Sequence, residues 1–150
     1  MKNDFAQNWE EKVQDKVKLR TYKGYKHTFG TENYLKVNLD RSERSFISQF
    51  RLRILPLRIE TGRFNRTPLE ERLCTLCNSE AVEDENHFLY ECEKYQVERK
   101  SLMDKACELD NTFKDLDYND RSDFLFSKMS RQVGKFIKRA YNTRYAALNN

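Results

Sequence analysis

Four potential metal ligands stand close together in the middle of the chain, in the stretch Cys74-Thr-Leu-Cys77-Asn-Ser-Glu-Ala-Val-Glu-Asp-Glu-Asn-His87-Phe-Leu-Tyr-Glu-Cys92. Thiolate sulfur and imidazole nitrogen are ligands that Zn²⁺ prefers, and its structural sites are tetrahedral with four protein ligands. The spacing therefore predicts one structural zinc ion bound by Cys74, Cys77, His87 and Cys92. Such a site has a full shell and lacks the open position that zinc catalysis requires.

The distance between the last two ligands constrains the local structure. His87 and Cys92 are five residues apart, which places them about 140° apart on an ideal α-helix. We therefore expect His87 in a frayed first turn rather than deep inside a helix. The nine residues that precede His87 include four acidic ones, and we interpret this segment as a solvated loop that lets the two halves of the motif meet: Glu80, Glu83, Asp84 and Glu85.

Other interpretations of these residues explain less. A redox-active Cys-x-x-Cys pair normally follows a strand and precedes a helix, and it would leave His87 and Cys92 unexplained. The consecutive acidic residues 83–85 point in different directions, which disfavours a nuclease-type metal site. Cys107 lies outside the cluster and is expected to be a small core residue. No catalytic group is apparent, and we expect the protein not to be an enzyme.

Composition favours helix. The chain has 150 residues, 38% apolar and 35% charged, with 4 Gly and 2 Pro. So few turn-forming residues, with abundant Lys, Arg, Glu and Leu, predict a mainly α, small helical domain held together by the Cys-Cys-His-Cys zinc site, with amphipathic helices at both ends. We divide it into an N-terminal helix and connection, residues 1–31, and a zinc-binding helical domain, residues 32–150.

The two ends of the chain show helical periodicity. An apolar residue recurs at every fourth position of the first segment and predicts a helix ending near Leu19: Phe5, Trp9, Val13 and Val17. Residues 20–31 contain two Gly and no clear period, so we expect a connection there. The last segment, from Ser122 to about Leu148, predicts an amphipathic helix that Gly134 bends or divides.

A third helix is predicted to begin at Asp40 or Ser42, either of which can cap it. It should end near Ile54, because Pro56 disfavours the helical conformation of the residue before it. Residues 57–62 alternate between apolar and polar and are expected to be extended.

A fourth helix, from Asp84 or Asn86 to about Leu109, carries Arg99 within its apolar arc. Glu60 lies in the otherwise apolar run before the cysteines, and we hypothesise a shielded ion pair between Arg99 and Glu60. The alternative is that Arg99 lays its stem on the core and keeps its charged end in water.

Charge is distributed unevenly. Residues 1–72 contain 16 Lys and Arg against 10 Asp and Glu, residues 73–120 contain 5 against 13, and residues 121–150 contain 7 against 1. The basic flanks are suited to a polyanion or to the acidic middle of the same domain. For nucleic acid we expect contacts from Arg51, Arg63, Arg66, Lys135, Lys138 and Arg139.

Three segments carry a resemblance to a known family: Phe50-Arg-Leu-Arg-Ile-Leu-Pro-Leu-Arg-Ile-Glu-Thr-Gly-Arg-Phe64, Glu-Arg-Leu-Cys74-Thr-Leu-Cys77-Asn and Val82-Glu-Asp-Glu-Asn-His87-Phe-Leu-Tyr-Glu-Cys92. Together they resemble the zinc-binding tail of non-LTR retrotransposon polyproteins of the jockey-like kind, most specifically over residues 50–99. The resemblance implies the same four ligands and a supporting role in nucleic-acid engagement during target-primed reverse transcription. The chain contains no endonuclease and no Tyr-x-Asp-Asp polymerase box, and Arg53 stands where a small residue is expected.

These observations favour a non-catalytic zinc-binding domain that binds RNA or DNA through basic faces. One alternative is a protein-interaction module whose C-terminal helix packs on a partner, such as a reverse transcriptase acting in trans. Another is an inactive retrotransposon remnant. The first residues lack the apolar run of a signal peptide, so we expect a nuclear or cytoplasmic protein without a membrane partner.

Overall fold

A computed structural model gives the fold, and it describes residues 2–149 apart from the side chains at positions 2, 3, 20, 21 and 25. Eight α-helices occur in that range: α1 Lys2–Gln14, α2 Arg20–Tyr25, α3 Asn33–Lys36, α4 Arg41–Arg51, α5 Arg58–Phe64, α6 Gln96–Leu109, α7 Tyr118–Lys128 and α8 Ser130–Asn149. A π-helix spans His87–Glu91, and short 3-10 turns span Val17–Leu19, Leu69–Glu71, Glu93–Tyr95 and Phe113–Asp115. The predicted mainly α fold is confirmed.

The core forms around α8, which packs against α4, α6 and α7. Large aromatic side chains fill its centre. The rings of Phe50 and Phe126 stack with centroids 5.6 Å apart, and Phe88 lies 6.2 Å from Phe50 and 6.0 Å from Phe136. Because Phe88 follows the predicted ligand His87 directly, the core and the Cys/His segment are in contact. Within the described range, no helix is long and apolar enough to cross a membrane.

Helix α4 begins where the capping signal predicts. Asp40 accepts a hydrogen bond from the Glu43 amide at 2.7 Å, and the Glu43 side chain accepts one from the Asp40 amide at 3.3 Å. This reciprocal pair is a capping box. The helix ends at Arg51, three residues before Ile54, and Arg53 adopts a left-handed conformation with φ of 57°.

The prediction of an extended segment at residues 57–62 is wrong for residues 58–62, which lie in α5, and only the N-cap residue Leu57 is extended. The first amides of that helix are satisfied from a distant part of the chain. The Glu83 side chain accepts from the Arg58 amide at 2.8 Å, and the Glu83 carbonyl accepts from the Ile59 amide at 3.0 Å. A cap supplied from 25 residues away leaves no local sequence signal.

The N-terminal segment also departs from expectation. α1 ends at Gln14, before Leu19, and the apolar stripe along it is only partly covered. Val13 is buried, whereas Phe5 is 72% exposed. The expected connection at residues 20–31 begins with α2, which packs against α7 and α4.

The C-terminal segment is divided, but not at Gly134. The helical path breaks at the fully buried Met129, with φ of −125° and ψ of 30°. Gly134 lies inside α8, where it allows close contact with α4: a Cβ atom there would lie 3.1 Å from Ile47 Cδ1 and 3.3 Å from Glu43 Cβ.

We predict that Gly134→Val destabilises the protein, because two added methyl groups have no room between α8 and α4. The expected loss is about 1–3 kcal/mol in the free energy of unfolding, measured by chemical denaturation. Gly24→Val is the control, since a Cβ at Gly24 meets nothing within 4 Å. Equal stability of the two variants would contradict the close contact between the helices.

Candidate metal centre

A hairpin-like turn carries the first two cysteines. Leu73 and Val82 form an isolated antiparallel bridge, and the Cys74 amide donates to the Ala81 carbonyl at 2.8 Å. Glu80 closes the turn in a left-handed conformation with φ of 53°. The bridge fixes the two ends of the loop, and it thereby holds the Cys-x-x-Cys segment between them.

A π-helical turn carries the other two predicted ligands, His87 and Cys92. The Cys92 amide donates to the His87 carbonyl at 2.8 Å, a bond that spans five residues instead of the four of an α-helix. Residues five apart in such a turn lie on the same side. The prediction of a frayed α-helical turn at His87 is therefore wrong, because the turn is π-helical. The prediction of one continuous helix to about Leu109 is also wrong, because the helix is interrupted at Cys92 before α6 begins.

The four side chains converge as the spacing predicts. One ligand atom from each of Cys74, Cys77, His87 and Cys92 lies within 4.8 Å of the other three, so the group could hold a metal ion. Cys74 Sγ and Cys92 Sγ are 3.9 Å apart, and Cys77 Sγ lies 3.3 Å from His87 Nε2. Ideal tetrahedral zinc would separate two sulfurs by about 3.8 Å and a sulfur from a nitrogen by about 3.6 Å. The two measured separations are close to these values.

Each sulfur accepts a hydrogen bond from a backbone amide two residues further along the chain. The donors are the amides of Leu76, Ser79 and Lys94, which serve Cys74, Cys77 and Cys92 respectively. Amides aimed at a sulfur stabilise its thiolate form. The arrangement is therefore suited to three negatively charged sulfurs.

Burial disfavours the negatively charged thiolate form of these cysteines. Removal from water raises the pKa of Cys74 and raises that of Cys92 to about 12. For Cys77, burial also raises the pKa, but hydrogen bonds from the side chain and backbone of Ser79 outweigh it and bring the pKa down to about 7. A cation at the centre of the cluster would favour deprotonation of all three thiols.

The imidazole ring is oriented for ligation through Nε2. Its other nitrogen, Nδ1, is buried and lies 3.4 Å from Glu91 Oε2, although the geometry is not that of a well-formed hydrogen bond. A proton on Nδ1 would leave the Nε2 lone pair directed at the sulfurs, and a carboxylate near Nδ1 favours that tautomer. Cys107 is not part of the group and packs partly buried against the core.

The acidic segment before His87 is not the solvated loop we expected. Glu83 is 1% exposed and Glu85 is 3% exposed. Glu83 receives two hydrogen bonds from the Arg144 guanidinium, both 2.8 Å long, and Glu85 lies 3.2 Å from Arg53. Glu83 and Glu85 are therefore internal partners of arginines from distant parts of the chain, whereas Glu80 is exposed as predicted.

Glu83 joins three parts of the fold at the edge of the Cys/His cluster. Its backbone amide pairs with the Arg72 carbonyl at 3.0 Å, its side chain and carbonyl cap α5, and its carboxylate binds Arg144 on α8. Arg144 was detectable in principle, because it follows Ile137 and Ala140 on the buried stripe of α8. A cation on an apolar stripe indicates a buried counterion.

The hypothesised ion pair between Arg99 and Glu60 is wrong. Arg99 donates to the carbonyls of Leu89 at 2.8 Å, Cys92 at 2.7 Å and Phe88 at 3.4 Å. Its guanidinium is therefore bound to the backbone rather than held free in water, although it stays only half-buried. These carbonyls belong to the π-helical turn and its end, where backbone acceptors lack helical partners, so Arg99 supports the segment that carries two of the ligands. Glu60 pairs with Lys18 and Arg63 instead.

The residues predicted to contact nucleic acid differ in accessibility. Arg51 is 4% exposed and lies 2.9 Å from Glu32, with the rings of Tyr22 and Tyr34 beside its guanidinium. This burial removes Arg51 from the predicted surface. Lys138 is half-buried and lies 2.8 Å from Asp40. The other four residues are exposed: Arg63, Arg66, Lys135 and Arg139. Arg63 lies on α5 beside Phe64, and Lys135 and Arg139 lie on α8.

Comparison with protein-family models, with curated proteins and with solved structures gave no match to this chain.

We predict that Arg144→Met strongly destabilises the protein, because it leaves the buried Glu83 carboxylate without its counterion. The expected loss is about 3–5 kcal/mol of unfolding free energy, measured by denaturation of the metal-loaded protein. Lys138→Met is the matched control on the same helix, since its pair with Asp40 is more exposed and should contribute much less to stability. Equal losses of unfolding free energy in the two variants would show that the Glu83–Arg144 pair contributes no more to stability than the exposed Lys138–Asp40 pair.

Proposed function

We propose that the Cys/His cluster binds one zinc ion and that this ion is structural. Three sulfurs and one imidazole nitrogen converge within 4.8 Å of one another, and this geometry supports the proposal. Soft sulfur and imidazole donors in a four-coordinate arrangement are typical of structural zinc. Four protein ligands leave no position for substrate or water, so we propose no catalytic role.

The ion would connect elements that are otherwise distant along the chain. Cys74 and Cys77 belong to the turn after α5, whereas His87 and Cys92 belong to the π-helical turn before α6. Structural zinc contributes about 10–16 kcal/mol of apparent binding free energy in small zinc-dependent domains, and that energy stabilises the folded state. In a chain with 35% charged residues, loss of the ion should therefore disorder this region.

We predict one zinc ion per chain in the purified protein, and loss of that ion in Cys74→Ser and Cys92→Ser. A serine hydroxyl is a poor replacement for a thiolate ligand. Metal content by elemental analysis and helix content by circular dichroism, with and without a chelator, check this. Cys107→Ser is the matched control, since it removes a cysteine outside the cluster and should leave the zinc content unchanged. An unaltered metal content in Cys92→Ser would contradict the proposed ligand set.

We further propose that the protein binds nucleic acid through basic residues on its surface. Lys135 and Arg139 lie with Lys105 along the groove between α6 and α8. A second exposed patch contains Arg63, whose guanidinium lies 4.8 Å from the ring centroid of Phe64, together with Arg66. Exposed cations attract phosphates, and an exposed aromatic ring can stack on a base. The resemblance to retrotransposon zinc-binding tails supports the same proposal.

We predict that RNA or DNA binding weakens as salt rises, and that the double substitution of Lys135 and Arg139 by Gln flattens this dependence. Each lost phosphate contact should reduce the slope of log affinity against log salt by about 1. Fluorescence anisotropy with labelled single-stranded and duplex oligonucleotides measures both effects, and Lys12→Gln on α1 is the control. Binding that does not respond to salt, or no binding at low salt, would rule out the proposal.

Exposed apolar residues at the end of α8 favour the alternative of a protein-interaction module. Tyr145 is 62% exposed and Leu148 is 47% exposed, next to the basic face of the same helix. A polymerase packed on this end would cover them. That alternative gains support if Tyr145→Ala leaves nucleic-acid binding intact and abolishes association with a non-LTR reverse transcriptase supplied in trans.

A further inference from the structure

A cavity beside the π-helical turn, which contains none of the four candidate metal ligands, collects three positive charges. It has a volume of about 260 Å³, opens to solvent and lies where α6, α7 and the 113–115 turn meet. Arg99, Lys114 and Arg121 line it, and no acidic residue is among its lining residues. Tyr90, Met103 and Phe113 form an aromatic and apolar part of the wall.

The two arginines in this cavity are bonded to neutral groups. Arg99 uses Nε and Nη2 on backbone carbonyls, and Arg121 donates to the Lys114 carbonyl. Within the described part of the chain, neither arginine nor Lys114 has a carboxylate within ion-pair distance, and the buried Nε of Arg121 has no hydrogen-bond partner. Glu91 and Glu98 act on the Arg99 charge only from a greater distance.

Three other enclosed arginines have a counterion: Arg144, Arg51 and Arg53 each face a glutamate carboxylate within 3.2 Å. Arg72 is like Arg99 in donating only to backbone carbonyls, but the cavity beside Arg72 is also lined by Glu60.

Arg99 and Arg121 are half-buried, whereas Lys114 is exposed at the mouth of the cavity. A half-buried cation loses part of its hydration, and a counterion compensates for that loss. A cavity with three cations and no internal counterion therefore favours an anion from solution.

We propose that this cavity binds a small organic phosphate with an aromatic body. A phosphate monoester carries close to two negative charges near neutral pH and accepts several hydrogen bonds, which matches three cations better than a single carboxylate does. The planar arginine side chains suit its oxygens, and Tyr90 and Phe113 suit an aromatic ring. The site is separate from the exposed groove between α6 and α8, so it does not depend on nucleic-acid binding.

Binding at this site would also act on the metal-binding turn. Arg99 lines the cavity and holds the carbonyls of Leu89 and Cys92, so an anion bound to it contacts the support of the π-helical turn. The protein should therefore be more resistant to metal removal when the cavity is occupied.

The test is a titration of the zinc-loaded full chain with phenyl phosphate at low salt, followed by calorimetry and by NMR of backbone amides. We expect a dissociation constant of about 1 mM or below, with shifts centred on residues that line the cavity. Arg121→Gln and Lys114→Gln should each weaken binding about tenfold or more, since each removes one charge-assisted contact. Lys100→Gln is the matched control, because Lys100 is exposed on α6 and does not line the cavity.

Three further ligands test separately the role of charge, the role of the aromatic wall and the preference for phosphate. Benzyl alcohol should bind at least tenfold more weakly than phenyl phosphate, and benzoate and inorganic phosphate should each bind more weakly as well. Equal binding of benzyl alcohol would overturn the role of charge, equal binding of inorganic phosphate would overturn the role of the aromatic wall, and equal binding of benzoate would overturn the preference for phosphate. No binding of phenyl phosphate up to about 10 mM would overturn the site as a whole.

A second readout uses the thiol of Cys107, which also lines the cavity. Phenyl phosphate should slow alkylation of Cys107 by iodoacetamide in the zinc-loaded protein, and Lys114→Gln should abolish that protection. Lys114→Gln keeps the backbone carbonyl that Arg121 binds, so it tests the charge without removing that hydrogen bond. Protection that persists in Lys114→Gln would contradict the proposal.

Discussion

The hydrogen bond from the Cys92 amide to the His87 carbonyl, 2.8 Å long, determines how the Cys/His segment fits into the rest of the protein. It closes a five-residue turn that places His87 and Cys92 on one side. The same turn directs Phe88 and Leu89, both fully buried, into the helical core. An α-helical turn would separate the two ligands by about 140°, and the cluster could not close. One backbone irregularity therefore serves both the candidate metal site and the core.

A network of buried charges surrounds this turn and connects it to the helices. Glu83 caps α5, pairs with Arg144 on α8 and joins the backbone of the cysteine-bearing hairpin. Arg99 completes the network from α6 by binding carbonyls of the π-helical turn. Buried ion pairs add little net stability compared with apolar contacts, but the loss of one partner is costly. Such contacts therefore fix the position of the hairpin relative to α8 more than they contribute to stability.

Much of this arrangement could be predicted from local sequence. The Cys/His spacing predicts the four converging residues, and the capping residue Asp40 predicts the start of α4. Both predictions are confirmed because each depends on residues that are close together in the chain. The start of α5 could not be predicted, since its cap comes from Glu83. The sequence also predicts the break of the C-terminal helix at Gly134 rather than at Met129. Gly134 instead lies inside α8, where its missing side chain allows close packing against α4.

The charged residues show the same limit. The sequence predicts Arg51 as a nucleic-acid contact on the surface, but Glu32 and the aromatic rings of Tyr22 and Tyr34 enclose it. The acidic composition of the segment before His87 predicts a solvated loop, whereas two of its acidic residues meet arginines from distant segments. Pairings between distant residues depend on the tertiary fold, and local sequence patterns do not reveal them.

The proposed zinc ion has three sulfurs and one imidazole as its ligands, and X-ray absorption spectroscopy at the zinc edge of the purified protein measures that shell. We expect a four-coordinate ion with three sulfurs at about 2.3 Å and one nitrogen at about 2.0–2.1 Å. A shell with fewer than three sulfurs, or one dominated by oxygen, would contradict it.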